Sequence, residues 1–80
     1  MKTETEPQTL RAAHDMASGR RPARDASPSA WLAFHRSNER MYRAVADVDR
    51  GHHHEALYWA GYESRKAGEA SAQLNAGNHG

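Results

Sequence analysis

The sequence predicts an all-α protein: a long antiparallel helical hairpin with a short N-terminal helix and disordered termini. Three observations predict it. Ser27-Pro28 starts a helix, with a capping hydroxyl followed by a proline at the first helical position. No glycine or proline then intervenes until Gly51. Beyond Gly51 the chain restarts at once and keeps a helical pattern to residue 74, so two helices become neighbours across a tight elbow.

The elements follow in order. Residues 1 to 5 are expected to be disordered, and a first helix is expected from near Thr5, where Thr5 and Gln8 have capping-box spacing and Pro7 suits the first turn. It ends at Gly19. Leu10, Ala13, Met16 and Ala17 give it a thin apolar face, enough to lean on a larger body but not to stand alone. Residues 19 to 27 form a linker, so residues 1 to 26 constitute one segment and residues 27 to 75 the hairpin.

The second helix covers about 28 to 50, roughly 34 Å at the α-helical rise. Trp31, Phe34, Met41, Val45 and Val48 recur at alternating three and four spacings, with Asn38 in the remaining slot of the stripe. Asn38 either sets register from inside or sits at the solvent edge. Gly51 is expected to supply a left-handed helix stop.

The third helix covers about 53 to 74, weakened inside by Gly61 and Gly68, with residues 76 to 80 as a frayed tail. At 100° per residue, His53, Ala56, Leu57, Ala60, Ser64, Ala67, Ser71 and Leu74 share the face expected to meet the second helix. Tyr58, Tyr62 and Arg65 fall opposite, with Trp59 between the faces. Tyr and Arg are enriched at protein contacts, so Tyr58, Tyr62, Arg65 and Trp59 are the candidate partner-binding residues. Ser27, Pro28, Gly51, Trp31, Phe34, Met41, Val45, Val48 and Leu57 are assigned structural work.

Composition narrows the function classes. With 80 residues, 38% of them hydrophobic, a single core is marginal without a staple, and with no cysteine that staple is a metal, a partner or a second copy. No apolar run approaches the ~18 residues of a membrane span, and no secretory leader is evident, so a cytoplasmic protein with no membrane contact is expected. Net charge is +1, with basic and acidic residues balanced in both halves, which disfavours a nucleic-acid-binding role. Only Arg20, Arg21 and Arg24 cluster, and a solvated linker accounts for them better than phosphate contact.

The run Asp47 to Trp59 holds His52, His53 and His54. Consecutive helical residues point about 100° apart, so the three imidazoles cannot share one ion. A feasible zinc or related divalent site would instead take His52, Glu55, Asp49 and Asp47, although this spacing matches no recognised metal signature. A polar elbow is the preferred reading, in which carboxylates ending one helix face imidazoles opening the next and each offsets the other's unfavourable helix dipole. His35 and Glu39, four apart, suggest a simple side-chain pair, and His14-Asp15 diverge on a helix. No nucleophile elbow, phosphate loop or paired carboxylates are present, so no enzymatic role and no obligatory cofactor are expected.

Gly51 to Leu57 is similar to the turn of a tetratricopeptide repeat, but only one unit is present, and Asp47 stands where that repeat has a large aromatic. More closely, Ala30 to Arg36 together with Asp49 to Trp59 resembles a group of small actinobacterial helical proteins. That resemblance implies a lineage and a compartment, and no activity. The expected function is therefore a protein-interaction or self-assembling module. The alternatives are a metal-binding or metal-responsive protein and a nucleic-acid accessory protein.

Overall fold

The computed structural model describes residues 6 to 77, all of whose regular structure is helical. α1 spans Leu10–Gly19 and α2 Pro28–Val48; a 3₁₀ turn, Arg50–His52, leads into α3, His53–Gly77. α2 starts as its sequence dictates: the Ser27 hydroxyl accepts the Ala30 amide, and Pro28 occupies the first turn. α2 and α3 pack along each other in opposite chain order. His53 meets Ala46 at one level and His35 meets Glu63 at another. No helix among the described residues is long and apolar enough to cross a membrane.

Helix boundaries depart from expectation where tertiary contacts set them. α1 begins at Leu10, not near Thr5, which lies outside the described residues, as does the expected disorder of residues 1 to 5. Thr9 is its cap, accepting the Ala12 amide through Oγ1, while the Leu10 amide bonds to Asp49 at the far end of α2. α2 stops at Val48 rather than 50. α3 continues through Asn75 and Ala76 to Gly77, past the expected end at 74; residues 78 to 80 are outside the described part.

Gly51 is not a left-handed cap. No glycine among the described residues has positive φ. The reversal runs instead through Asp49, whose amide still bonds to the Val45 carbonyl at 2.8 Å, and through the 3₁₀ turn closed by the His52 amide on the Asp49 carbonyl at 2.9 Å. A reversal in which every φ is negative needs no glycine.

The core lies where α1 rests on the elbow half of the α2–α3 pair. Leu10 and Ala13 of α1 join Met41, Tyr42, Val45, Ala46, Ala56 and Ala60, with Met16, Ala17 and Trp59 against its margin. α1 has ten residues and α3 twenty-five, so at ~1.5 Å per residue α1 covers less than half of the pair. The inner face of α3 is a row of alanines, Ala56, Ala60, Ala67 and Ala70, which lets the two long helices approach closely at the cost of little buried area per residue.

Two expected core residues lie outside. Val48 is 51% exposed because it ends α2 where the chain departs, and Leu57 is 41% exposed because the buried face of α3 is rotated toward Glu63 and Ala70. Ser64 is exposed for the same reason, and Trp31 and Phe34 are only half-buried. Asn38 resolves to the interior: it is fully buried.

Candidate functional site

Three polar contacts tie the helices together, and each holds a residue whose partner is far away in sequence. From α1, His14 Nδ1 lies 2.7 Å from the Tyr42 hydroxyl. Between α2 and α3, His35 Nδ1 lies 2.6 Å from Glu63 Oε1, with side-chain exposures of only 14% and 8%. From the linker, the Arg20 guanidinium donates to Asn38 Oδ1 at 2.6 Å and approaches the Met41 sulfur at 3.6 Å. Arg20 is therefore not a solvated linker cation. It satisfies the oxygen of the buried amide, while Asn38 Nδ2 remains without a partner.

His35 takes Glu63, not Glu39; Glu39 instead pairs with Arg43 one turn on. Glu63 could be brought inside because the imidazole answers its carboxylate, which makes burial of the charge tolerable. Its carboxylate also bears on Tyr42. Burial first, and then Glu63, push the Tyr42 phenol up to about 12, against the pull of the Arg20 guanidinium in the other direction. Tyr42 thus stays a neutral hydroxyl throughout the physiological range.

These groups line a groove of about 460 Å³ between the end of α1, the middle of α2 and α3. Its apolar walls are Phe34, Trp59 and Tyr62, and Arg21 stands on the α1 side. Trp59 is the hub of the aromatic set: its ring centroid lies 5.2 Å from His14, 5.2 Å from Tyr58 and 5.4 Å from Tyr62, in edge-to-face geometries. Trp31, Phe34 and His35 form a second cluster along α2.

The four candidate partner-binding residues divide between two surfaces. Tyr58 stands out, 61% exposed. Arg65 is exposed, with its guanidinium 5.8 Å from the Tyr62 ring centroid. Trp59 and Tyr62 turn toward α1 and line the groove. The α1 coverage that the sequence left open is thus partial: α1 reaches Trp59 and leaves Tyr58 bare.

At the elbow the three histidines go to three places. His52 Nδ1 lies 3.0 Å and 3.1 Å from the two Asp49 carboxylate oxygens. His53 donates Nδ1–H to the Ala46 carbonyl at 2.7 Å, satisfying one of the carbonyls left over in the last turn of α2. His54 is exposed, its ring against that of His53. Asp49 accepts both the Leu10 amide and His52, which hold its carboxyl below its ordinary value in that order of importance; Asp49 in turn raises His52. Of the proposed metal ligands, His52 and Asp49 are together, whereas Asp47 and Glu55 are exposed. Among the described residues no three His, Asp or Glu side chains converge as a metal set.

His14, Tyr42 and Glu63 are the site residues that sequence reasoning missed. For His14 a signal was present, since it lies one turn from Leu10 and beside Ala13 on the apolar side of α1. No protein-family model, curated protein or solved structure matches this chain.

Proposed function

We infer that this chain is a small helical interaction module, an antiparallel hairpin braced by α1, that assembles with a second copy of itself and catalyses nothing. The observation that carries this reading is the outer flank of α3. Leu57 and Tyr58 are both exposed there and lead into Gly61, Ser64 and Gly68, all exposed and recurring at three and four spacings. Among the described residues nothing lies within 4 Å of a Cβ added at Gly61 or Gly68. The flank is therefore large at one end and small at the other. Two copies docked about a twofold axis would lay the Leu57–Tyr58 end of each over the Gly68 end of its mate, a self-complementary contact of the kind closed dimers use. Val48, exposed at the same end of the molecule, extends the apolar surface available for burial. Sedimentation velocity across a concentration series tests it: wild type is expected to shift to a dimer, and Leu57→Ser with Tyr58→Ser to remain a monomer.

A second reading is carried by the 3.0 Å approach of Asp49 and His52, two of the four groups a zinc site at the elbow would use. Zinc added to metal-free protein would raise the melting temperature if the elbow completes a ligand set, and leave it unchanged otherwise. The nucleic-acid reading is weakened because Arg20, one of its three cations, is committed to Asn38. Salt-sensitive retention on DNA would restore it.

A further inference from the structure

The groove between α1 and the long helices has a chemical polarity that association through α3 does not use. At about 460 Å³ it falls within the range of small-molecule sites, about 300–1,000 Å³. Three of its walls are aromatic rings, Phe34, Trp59 and Tyr62. Its two imidazoles are each fixed through Nδ1 by a partner that also lines the groove, the arrangement that sets a tautomer and holds the ring.

The two tautomers differ. A carboxylate only accepts, so the proton of the pair lies on His35 Nδ1, and the neutral form of that ring has Nε2 as an acceptor. Tyr42 is buried and His14 Nδ1 is the hydrogen-bond partner of its hydroxyl, so in the neutral imidazole tautomer that lets the hydroxyl donate, the His14 proton lies on Nε2. One imidazole of the groove therefore accepts and the other donates. Arg21, on the α1 side with His14, adds a guanidinium to the donating end. Tyr42, which holds His14, and His35 are seven residues apart on α2, so their backbone positions are separated by roughly 10 Å, two turns of helix. Glu63 lines the groove at the accepting end and its carboxylate would repel an anion there, whereas Arg21 would attract one to the other.

We propose that this groove binds an aromatic carboxylate with a hydroxyl at the far end of its ring system, of hydroxycinnamate type. Its ring lies against Trp59 and Tyr62, its hydroxyl donates to His35 Nε2, and its carboxylate meets Arg21 and the His14 Nε2–H. Binding and orientation are the whole of the role, with no bond made or broken.

The test is a titration of the full chain with 4-hydroxycinnamate, followed by two-dimensional amide and indole NMR, alongside 4-methoxycinnamate, which lacks the donor, and methyl 4-hydroxycinnamate, which lacks the charge. Saturable shifts are expected at the Trp59 indole and at Tyr62 and His35, with both analogues at least about fivefold weaker, the loss of roughly one hydrogen bond. Arg21 is exposed, so Arg21→Gln should fold as wild type does; it is expected to weaken the acid at least about fivefold while leaving the methyl ester unchanged. The absence of saturable shifts up to about 5 mM, a concentration corresponding to roughly −3 kcal/mol of binding, would overturn the proposal. Equal binding of all three compounds, insensitive to Arg21→Gln, would overturn it as well. Because Leu57 does not line this groove, whereas Tyr58 packs on Trp59, the single variant Leu57→Ser should bind 4-hydroxycinnamate as wild type does, which separates this outcome from that for self-association.

Discussion

Asp49 accepts the backbone amide of Leu10 at 2.9 Å, across 39 positions of sequence, so the last residue before the elbow also starts the first helix. The carboxylate answers an amide that α1 cannot satisfy internally, and its charge lies at the favourable end of that helix's dipole. Asp49→Ala is therefore expected to loosen α1 specifically. Hydrogen exchange would show the amides of the first turn of α1 exchanging roughly tenfold faster or more, with those of α3 near Ala67 unchanged. Equal acceleration in both places would mean that α1 is held by its apolar face alone.

The same carboxylate predicts a pH optimum. Asp49 is lowered in the fold, so its contribution is fully present above its ordinary 3.8 and is lost as pH falls through the lower folded value. His52 is raised, so its contribution is fully present below its ordinary 6.5 and is lost as pH rises through the higher folded value. Both hold between those two ordinary values, where the link from α1 to the elbow is expected to be strongest. Asp49→Asn keeps an oxygen for the Leu10 amide and removes the charge. Thermal melts of that variant between pH 5 and 8 should lose the part of the slope that His52 contributes, and an unchanged slope would assign it to other histidines.

The His35–Glu63 pair is expected to be costly to break and cheap to replace. Glu63→Ala leaves a half-buried imidazole without its partner and should cost about 2 kcal/mol in chemical denaturation. His35→Leu combined with Glu63→Met fills the same space with apolar atoms and is expected to recover most of that loss. A double variant as unstable as the single one would show that the pair contributes attraction well beyond its own desolvation. Tyr42→Phe, which removes only the bond to His14, should cost about 1 kcal/mol.

How much of this was readable from residues alone depended on the range of the interaction. The start of α2 was readable because Ser27 and Pro28 act within one turn, and the apolar positions of α1 because helical periodicity is local. The start of α1 was not, because its cap includes a carboxylate on another helix. The buried face of α3 was misplaced by one strip: sequence reasoning puts a lone Glu outside, and nothing near Glu63 reveals that His35 will face it. Val48 was assigned to the core on the same periodicity that correctly placed Met41 and Val45 and failed because it ends α2, whereas Leu57 failed with the misplaced face of α3.

Gly68 sits in a helix with nothing near the position of an added Cβ and no positive φ to protect. At concentrations where the chain is a monomer, Gly68→Ala should therefore raise stability by about 1 kcal/mol through backbone entropy and helix propensity. A fall in the denaturation midpoint would reveal a requirement for bare backbone at that position, which the isolated chain does not impose.

Self-association through the outer flank of α3 is tested most directly at Gly61, where stability and contact can be driven in opposite directions. Gly61 is exposed, an added Cβ there meets nothing within 4 Å among the described residues, and leucine improves helix propensity, so Gly61→Leu should be at least as stable as wild type within one chain. Between chains it props apart two helices that approach over small residues. Multi-angle light scattering of both proteins over a concentration series is the measurement. Twice the chain mass of 8.9 kDa for wild type, with the single-chain mass for an equally well-folded Gly61→Leu, is the result expected. A single-chain mass for wild type at every concentration, or the same dimer in both proteins, would contradict it.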